Sequence, residues 1–175
     1  MGKILIVNTG PEVFAGTGAR LSHRKSQPGA PITEWAQAAA ERLAEYRLNA
    51  VYACPVPGAD ETAGIVASRF NLEVKRLPGL ENINIELPLE GSLESLREKV
   101  AAALDQLSLQ HKKETVAIIS QKTLSVIMIL HLLHMHNRHF PQIAQEAGAI
   151  NLFEVRFGVP SALFINDTCH LHGLI

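Results

Sequence analysis

Short apolar runs alternate with helix-periodic segments along most of this sequence, and that alternation limits the possible folds more than any other feature. Residues 4–7 (Ile-Leu-Ile-Val) and 115–120 (Thr-Val-Ala-Ile-Ile-Ser) are continuous, β-rich stretches. Runs without polar alternation are typical of strands that a parallel sheet buries on both faces. Because helical segments separate these runs, the sequence predicts an α/β domain with a largely parallel central sheet.

The predicted elements follow from periodicity and from turn residues. Apolar spacing predicts helices over 33–46, 62–70, 93–107 and 123–134, a short helix over 141–146, and Thr33 as the N-cap of the first. Apolar β-rich runs predict strands at 4–7, 50–53, 72–74, 115–120, 151–157 and 162–166. Residues 11–31 contain several Gly and Pro without periodicity and are expected to form a long loop, and 76–92 an irregular connection.

Composition excludes several classes of function. The 175 residues suit one domain, 1–175, and the net charge of −1 offers no electrostatic footprint for nucleic acid or an anionic membrane. The longest apolar stretch, residues 124–133, is interrupted by Ser125 and His131 and is too short to cross a bilayer. Residues 4–7 are too few for the apolar core of a signal peptide. Cys54 and Cys169 do not suggest a disulfide framework, so we expect a soluble, cytoplasmic protein.

Polar or turn-forming residues follow three of the predicted strands. These strand ends are residues 8–10 (Asn-Thr-Gly), 54–55 (Cys-Pro) and 120–121 (Ser-Gln). Ligands of open parallel sheets bind beyond the carboxyl ends of the strands. The sequence therefore predicts a site at this edge of the sheet.

The same strand ends resemble the signature positions of the histidine phosphatase (phosphoglycerate mutase-like) superfamily. Residues 8–10 stand where the family has Arg-His-Gly, and residues 31–38 resemble its Pro-Leu-Thr helix start. Residues 52–63 match the spacing of the family's Tyr-Ser-Ser-Pro-x-x-Arg-Ala-x-x-Thr-Ala signature. Residues 80–91 resemble the segment that carries a catalytic Glu, and residues 120–122 stand where the family has Ser-His-Gly. The resemblance covers nearly the whole chain. It implies a three-layer α/β/α sandwich.

The resemblance also implies that the catalytic side chains have been replaced. Where the family has an Arg, the nucleophilic His, a second Arg and a second His, this chain has Asn8, Thr9, Gly58 and Gln121. Imidazole accepts a phosphoryl group, whereas a threonine hydroxyl is a weak nucleophile without an activating base. Arginines give charged, bidentate hydrogen bonds to phosphate, each charge-assisted bond worth about 1.5–3 kcal/mol.

Three functions remain open at this stage. The first is a pseudoenzyme with a ligand-binding or regulatory role, able to self-associate as a homodimer and to bind a small polar ligand. The second is a weak phosphomonoesterase, similar to α-ribazole phosphatases, with Thr9 or a water as nucleophile and Glu81 as base. The third is a scaffold subunit of a hetero-oligomer. The expected pocket residues are Asn8, Thr9, Gly10, Gly58, Gln121, Arg20 and Arg24.

Other reactive side chains have simpler interpretations. Arg20, Arg24 and Lys25 could replace the missing arginines, but solvated charges on a loop are the simpler interpretation, and Lys122 directly follows Gln121. His131 and His134 could share a metal, yet histidines also suit a helix C-terminus, so we expect no metal and no cofactor. Cys54 is either a reactive thiol at the pocket rim or a small core residue, and the core role is the default.

Overall fold

Six strands form one mixed sheet in the part of the chain that the structure describes. This is a computed structural model, and it describes residues 2–9, 32–81, 83, 90–172 and 174. The strands are β1 (Gly2–Asn8), β2 (Ala50–Ala53), β3 (Val74–Arg76), β4 (Thr115–Ser120), β5 (Ile150–Arg156) and β6 (Val159–Asp167). Their order is β3-β2-β4-β1-β5-β6. The first four are parallel, β5 is antiparallel to β1, and β6 is antiparallel to β5. The predicted, largely parallel α/β sheet is confirmed.

Two pairs of helices cover the sheet. The helices are α1 (Ile32–Leu43), α2 (Ala59–Arg69), α3 (Glu90–Gln110) and α4 (Lys122–Leu132), with 3-10 turns at Asn137–Gln142 and Cys169–Leu171. α1 packs on α2, and α3 packs on α4. The chain moves along the sheet in one direction from β1 to β3 and returns from β3 to β4. Right-handed crossovers therefore place the two helix pairs on opposite faces.

The central strands are buried because they are apolar on both faces. Leu5, Ile6, Ile118 and Ile119 in β1 and β4 are fully buried. α4 is apolar around its whole circumference, and nearly all of its residues are buried between the sheet and its neighbours. The sheet edge that carries the predicted site is thereby fixed by the most rigid part of the core.

Several predicted element boundaries are wrong, and three of these differences have a clear local reason. The strand predicted at 72–74 lies at Val74–Arg76, because the amide of Leu72 instead closes the end of α2 on the carbonyl of Ala67. Thr33 is not an N-cap, because α1 begins at Ile32 and an N-cap residue lies outside the helix. α3 begins at Glu90, inside the predicted connection.

The predicted helix over 141–146 is also wrong. A 3-10 turn ends at Gln142, and residues 143–146 are not helical. Gln145 bonds the side chains of Asn8 and Asn151, and the amide of Glu146 donates to Oδ1 of Asn166. The segment therefore uses its polar groups for tertiary contacts instead of a helical ladder. The loop predicted at 11–31 lies outside the described residues. Among the described helices, none is long and apolar enough to span a membrane.

Candidate functional site

Three strand ends meet at one edge of the sheet, as the sequence predicted. The amide of Thr9, after β1, donates to the carbonyl of Ser120 at 2.8 Å. The amide of Cys54, after β2, donates to the carbonyl of Ile119 at 2.9 Å. Because β4 lies between β1 and β2, its end at Ser120 joins the other two. This edge is the carboxyl end of every parallel strand in the sheet, where ligands of such folds bind.

Asn8 is the last residue of β1, and its side chain is held inside the protein. It is only 3% exposed. Its Nδ2 donates to Oε1 of Gln145 at 2.9 Å and to the carbonyl of Glu146 at 3.0 Å, while its Oδ1 accepts from the hydroxyl of Ser125. Both amide protons and the carbonyl oxygen of Asn8 are thus engaged by the protein itself.

The hydrogen bonds of Asn8 continue through a buried network of neutral side chains. Gln145 donates from Nε2 to Oδ1 of Asn151 at 2.8 Å, and Asn151 donates from Nδ2 to Oε1 of Gln145 at 2.9 Å and to the carbonyl of Ile6 at 3.1 Å. Ser125, Gln145 and Asn151 are all buried. A buried polar network is favourable when its groups are paired, and it then fixes one arrangement of the chain.

Thr9 lies just beyond Asn8 and is held by its backbone. Its carbonyl accepts from the amide of Gly148 at 3.0 Å, and its amide donates to Ser120. The residue is 4% exposed, so its hydroxyl has little access to solvent. The backbone of Thr9 is therefore hydrogen-bonded to the end of β4 and to the segment before β5.

Gly58 faces Thr9 from the start of α2. A Cβ built on Gly58 would lie 3.9 Å from Cβ of Thr9 and 2.6 Å from Cδ1 of Ile32. The backbone of Gly58 has φ +75, a left-handed conformation that other residues adopt only with strain. A long side chain at this position would meet both a backbone cost and a contact with Ile32.

Gln121 lies at the end of β4 and precedes α4. Its backbone is extended, and its carbonyl accepts from the amide of Ser125 at 2.9 Å. The residue is partly buried, and the following Lys122 is exposed at the first position of the helix. Gln121 therefore lies at the same sheet edge as Thr9, as predicted.

Cys54 is a core residue, which decides between its two interpretations. It is fully buried. Burial raises the pKa of the Cys54 thiol to about 12, and a hydrogen bond with Ser120 offsets this only in part. A protonated thiol without solvent access is neither a nucleophile nor a metal ligand.

Glu81 is exposed on the turn that follows β3. Its Oε1 accepts from the amide of Gly79 at 3.1 Å. Its assignment as a catalytic base stays a prediction. Gly10, Arg20, Arg24 and Lys25 lie outside the described residues, so their part in the pocket also stays a prediction.

His131 and His139, near the end of α4, have protein partners. His131 lies 3.0 Å from Asp105 of α3, and His139 lies 2.8 Å from Gln142. His134 has φ +54 and ends the helix as its left-handed cap. Over the residues that the structure describes, no three His, Cys, Asp or Glu side chains are grouped to hold a metal ion.

The sequence interpretation overlooked Ser125, Gln145 and Asn151. A signal for two of them was present, because Ser125 interrupts an apolar helix and Asn151 an apolar strand. A polar side chain in a buried element needs a partner, so such interruptions predict a buried hydrogen bond. Gln145 carried no such signal.

At this edge the four positions that the sequence resemblance assigned to the family's catalytic groups hold two amides, a hydroxyl and a glycine. Asn8, Thr9, Gly58 and Gln121 supply no formal charge and no imidazole. Neutral amides and hydroxyls can hydrogen-bond a polar ligand, but an amide does not accept a phosphoryl group, and a hydroxyl does so only when a base activates it.

Comparisons with known proteins place the fold. A family model described as histidine phosphatase superfamily (branch 1) matches residues 33–91 and 86–168. No curated protein sequence matches the chain significantly.

Solved structures of several phosphatases are similar. A mutant phosphoserine phosphatase from Entamoeba histolytica, in complex with phosphoserine, has a TM-score of 0.73 at 21% identity, covering 98% of this chain and 100% of that chain. The α-ribazole phosphatase from Shigella flexneri has a TM-score of 0.72 at 15% identity, covering 94% and 96%. A mycobacterial glucosyl-3-phosphoglycerate phosphatase has a TM-score of 0.61 at 16% identity, covering 94% and 98%. At these identities the similarity establishes the fold alone.

Proposed function

This chain belongs to the histidine phosphatase superfamily (branch 1), and on that basis we propose that it is a catalytically inactive member that acts by binding a ligand or regulating a partner. Members of the family are phosphatases, that is, phosphoric monoester hydrolases. The proposal is that this member keeps their fold and has lost their reaction.

The observation that carries the proposal is the hydrogen bonding of Asn8. In the family this position holds an arginine that binds phosphate. Here the side chain bonds Gln145, Glu146 and Ser125 and is nearly inaccessible. A group whose donors are used inside the protein has none left for a ligand, so the position supports the fold instead of phosphate binding.

The neighbouring positions support the same proposal. Thr9 cannot act as a nucleophile unless a base removes its proton. Gly58 and Gln121 supply no positive charge for a phosphate oxygen. In enzymes whose catalytic residues act as a unit, loss of one member costs on the order of a millionfold in turnover. Loss of all four groups leaves phosphotransfer without the family's nucleophile, second histidine or arginine anchors.

A binding role without turnover is compatible with this fold. The phosphoserine phosphatase relative carries a histidine-to-alanine change and is in complex with phosphoserine. We propose that the pocket of this chain takes a small polar ligand, and that a neutral ligand suits Gln121 and the backbone at Gly58 better than a phosphate.

A hydrolysis assay tests the proposal. The full chain is incubated with p-nitrophenyl phosphate, phosphoserine and 3-phosphoglycerate, and released phosphate is measured beside a Glu81→Gln variant purified in the same way. We expect both proteins to match the buffer blank. Turnover by the original chain that disappears in Glu81→Gln would make the protein a phosphomonoesterase and end the proposal. Equal turnover in both would also end it if the activity follows the chain through a further purification step, and would indicate a contaminant if the two separate.

A second experiment tests binding directly. Thermal unfolding is followed with inorganic phosphate and with a panel of uncharged sugars, polyols and nucleosides, for the chain and for Gln121→Ala. We expect stabilisation by an uncharged compound that Gln121→Ala reduces, and little effect of phosphate. Strong stabilisation by phosphate that depends on Gln121 would contradict the neutral pocket. Co-purification with a second chain, without any stabilising compound, would favour a scaffold role.

A further inference from the structure

A hairpin turn far from the candidate site carries a residue that the fold of one copy does not explain. β5 and β6 are joined by Phe157 and Gly158, with Arg156 and Val159 as the last paired residues. Both turn residues have positive φ, +52 and +80, as in a type I′ hairpin turn. This turn favours Asn or Asp before Gly, and a bulky residue there is strained.

The side chain of Phe157 is also fully exposed, at 105%. An aromatic ring in water gains nothing from burial, and its left-handed backbone adds a further cost. No contact among the described residues of one copy offsets either cost. A contact outside the chain would offset both costs.

A groove of about 570 Å³ lies beside this turn, at the end of the sheet opposite the candidate site. Its floor is Ile4 and Val116 at the starts of β1 and β4, and its walls include Leu109 and Leu132 at the ends of α3 and α4. Phe157 lies at its rim. Leu109, the wall residue nearest the end of α3, is itself 67% exposed.

Two histidines of the groove are already paired within the chain. His131 contacts Asp105, and His111 lies 2.8 Å from the hydroxyl of Tyr52 and 2.5 Å from Glu114. Lys3, Lys112 and His134 also line the groove, beside a larger apolar surface that includes Leu107, Leu109 and Val155. The groove therefore suits an apolar group more than a charged ligand.

From these observations we infer that this face binds a second copy of the chain, with Phe157 of each copy inserted into the groove of the other. Two copies related by a two-fold axis make the same contact twice. A projecting side chain and a groove on one surface allow this, because each copy can insert its Phe157 and receive that of the other. Phe157 offers on the order of 200 Å² per copy. With the groove wall that it covers, and with the exposed Leu109 and Val159 beside it, this contact falls at the small end of the range for specific interfaces, so the dimer is expected to be weak and concentration-dependent.

The test is the oligomeric state of the full chain. Sedimentation velocity over a micromolar concentration series is run for the original chain and for Phe157→Asn. Asparagine is preferred at this turn position, so the variant is expected to fold at least as stably. We expect a dimer for the original chain and a dissociation constant at least about tenfold higher for Phe157→Asn. Leu109→Ser, on the groove wall, is expected to weaken the dimer as well.

Val74→Thr is the matched control, because Val74 is an exposed apolar residue on β3 at the far edge of the sheet. It is expected to leave the dimer unchanged. A monomer throughout the series, or equally tight association of Phe157→Asn, would refute the inference. Sedimentation of a monomeric chain with phosphatidylserine vesicles, lost in Phe157→Asn, would assign the face to a membrane and refute it too.

Discussion

Nδ2 of Asn8 donates to Oε1 of Gln145 across 137 residues of sequence, and this bond joins the end of β1 to the segment before β5. The same Oε1 accepts from Asn151, so one amide links three parts of the chain. The end of β1, where the family binds phosphate, is thus built into the interior of this protein. Its polar groups stabilise the fold.

Asn8→Ala is expected to destabilise the protein by about 1–3 kcal/mol, because it leaves the buried hydroxyl of Ser125 without its acceptor and removes the bonds to Gln145 and Glu146. Urea unfolding measures the change. Asn49→Ala is the control, since Asn49 also accepts a hydrogen bond, from the amide of Thr115, but at an exposed position. Equal losses in the two variants would mean that the buried network contributes nothing special.

Asn8→Arg is expected to cost more than Asn8→Ala, about 3–5 kcal/mol, because it places an unpaired charge among neutral buried groups. The free energy of unfolding again measures this. A stable Asn8→Arg protein that gains phosphate binding would show that the network can open, contrary to our interpretation of Asn8.

Gly58→Ala and Gly64→Ala are expected to act in opposite directions, although both replace a glycine at or in α2. At Gly58 the left-handed backbone costs about 1–2 kcal/mol for any L side chain, and the new Cβ meets Ile32. At Gly64 a Cβ meets nothing within 4 Å, and alanine favours a helix interior by roughly 0.5–1 kcal/mol. Thermal unfolding of both variants tests whether Gly58→Ala lowers the stability and Gly64→Ala raises it. If Gly58→Ala leaves the stability unchanged, the backbone at this position is not strained by a side chain, and an arginine could be introduced there without that cost.

Stability is expected to fall as pH drops below about 6.5 because of His170. Burial lowers the pKa of His170 from its ordinary value. The hydrogen bond from its Nε2 to the carbonyl of Gly148 raises the pKa but offsets only part of this lowering. The unfolded chain therefore binds a proton in this range that the native protein does not, and the native state loses stability. The free energy of unfolding at several pH values measures the effect.

His170→Gln should show a weaker pH dependence than the original chain, since glutamine can still donate to Gly148 but does not titrate. His172→Gln, at an exposed position two residues on, serves as the control. An unchanged slope in His170→Gln would exclude His170 as the cause.

Only one of the two thiols is expected to react with a thiol reagent in the native protein. Cys169 is exposed, whereas Cys54 is buried. Desolvation raises the pKa of the Cys54 thiol to about 12, although a hydrogen bond with Ser120 acts in the opposite direction. We expect one thiol per chain to react in buffer and two in urea, and none in buffer for Cys169→Ser. Fast native labelling of Cys54 would mean that the strand end opens to solvent.

Much of the fold followed from local patterns. The strand predicted at 50–53 and the one at 115–120 have the observed bounds, and the continuous apolar runs correctly indicated parallel strands buried on both faces. The convergence of Thr9, Cys54 and Gln121 at one sheet edge also followed, because parallel strands carry their carboxyl ends to the same side. Helix 141–146 failed because its polar residues bond distant partners.

Periodicity and residue identity therefore determined the fold class, the edge where the site lies and the absence of charge at four of its positions, since these depend on neighbours in sequence. The tertiary structure decided that Asn8 is buried, that Cys54 is inert, that Gly58 is left-handed, and that Phe157 projects beside a groove. Those properties depend on which distant groups pack against each residue. Burial and hydrogen-bond partners set the energy of a side chain, and both are created only when separate segments of the chain come together.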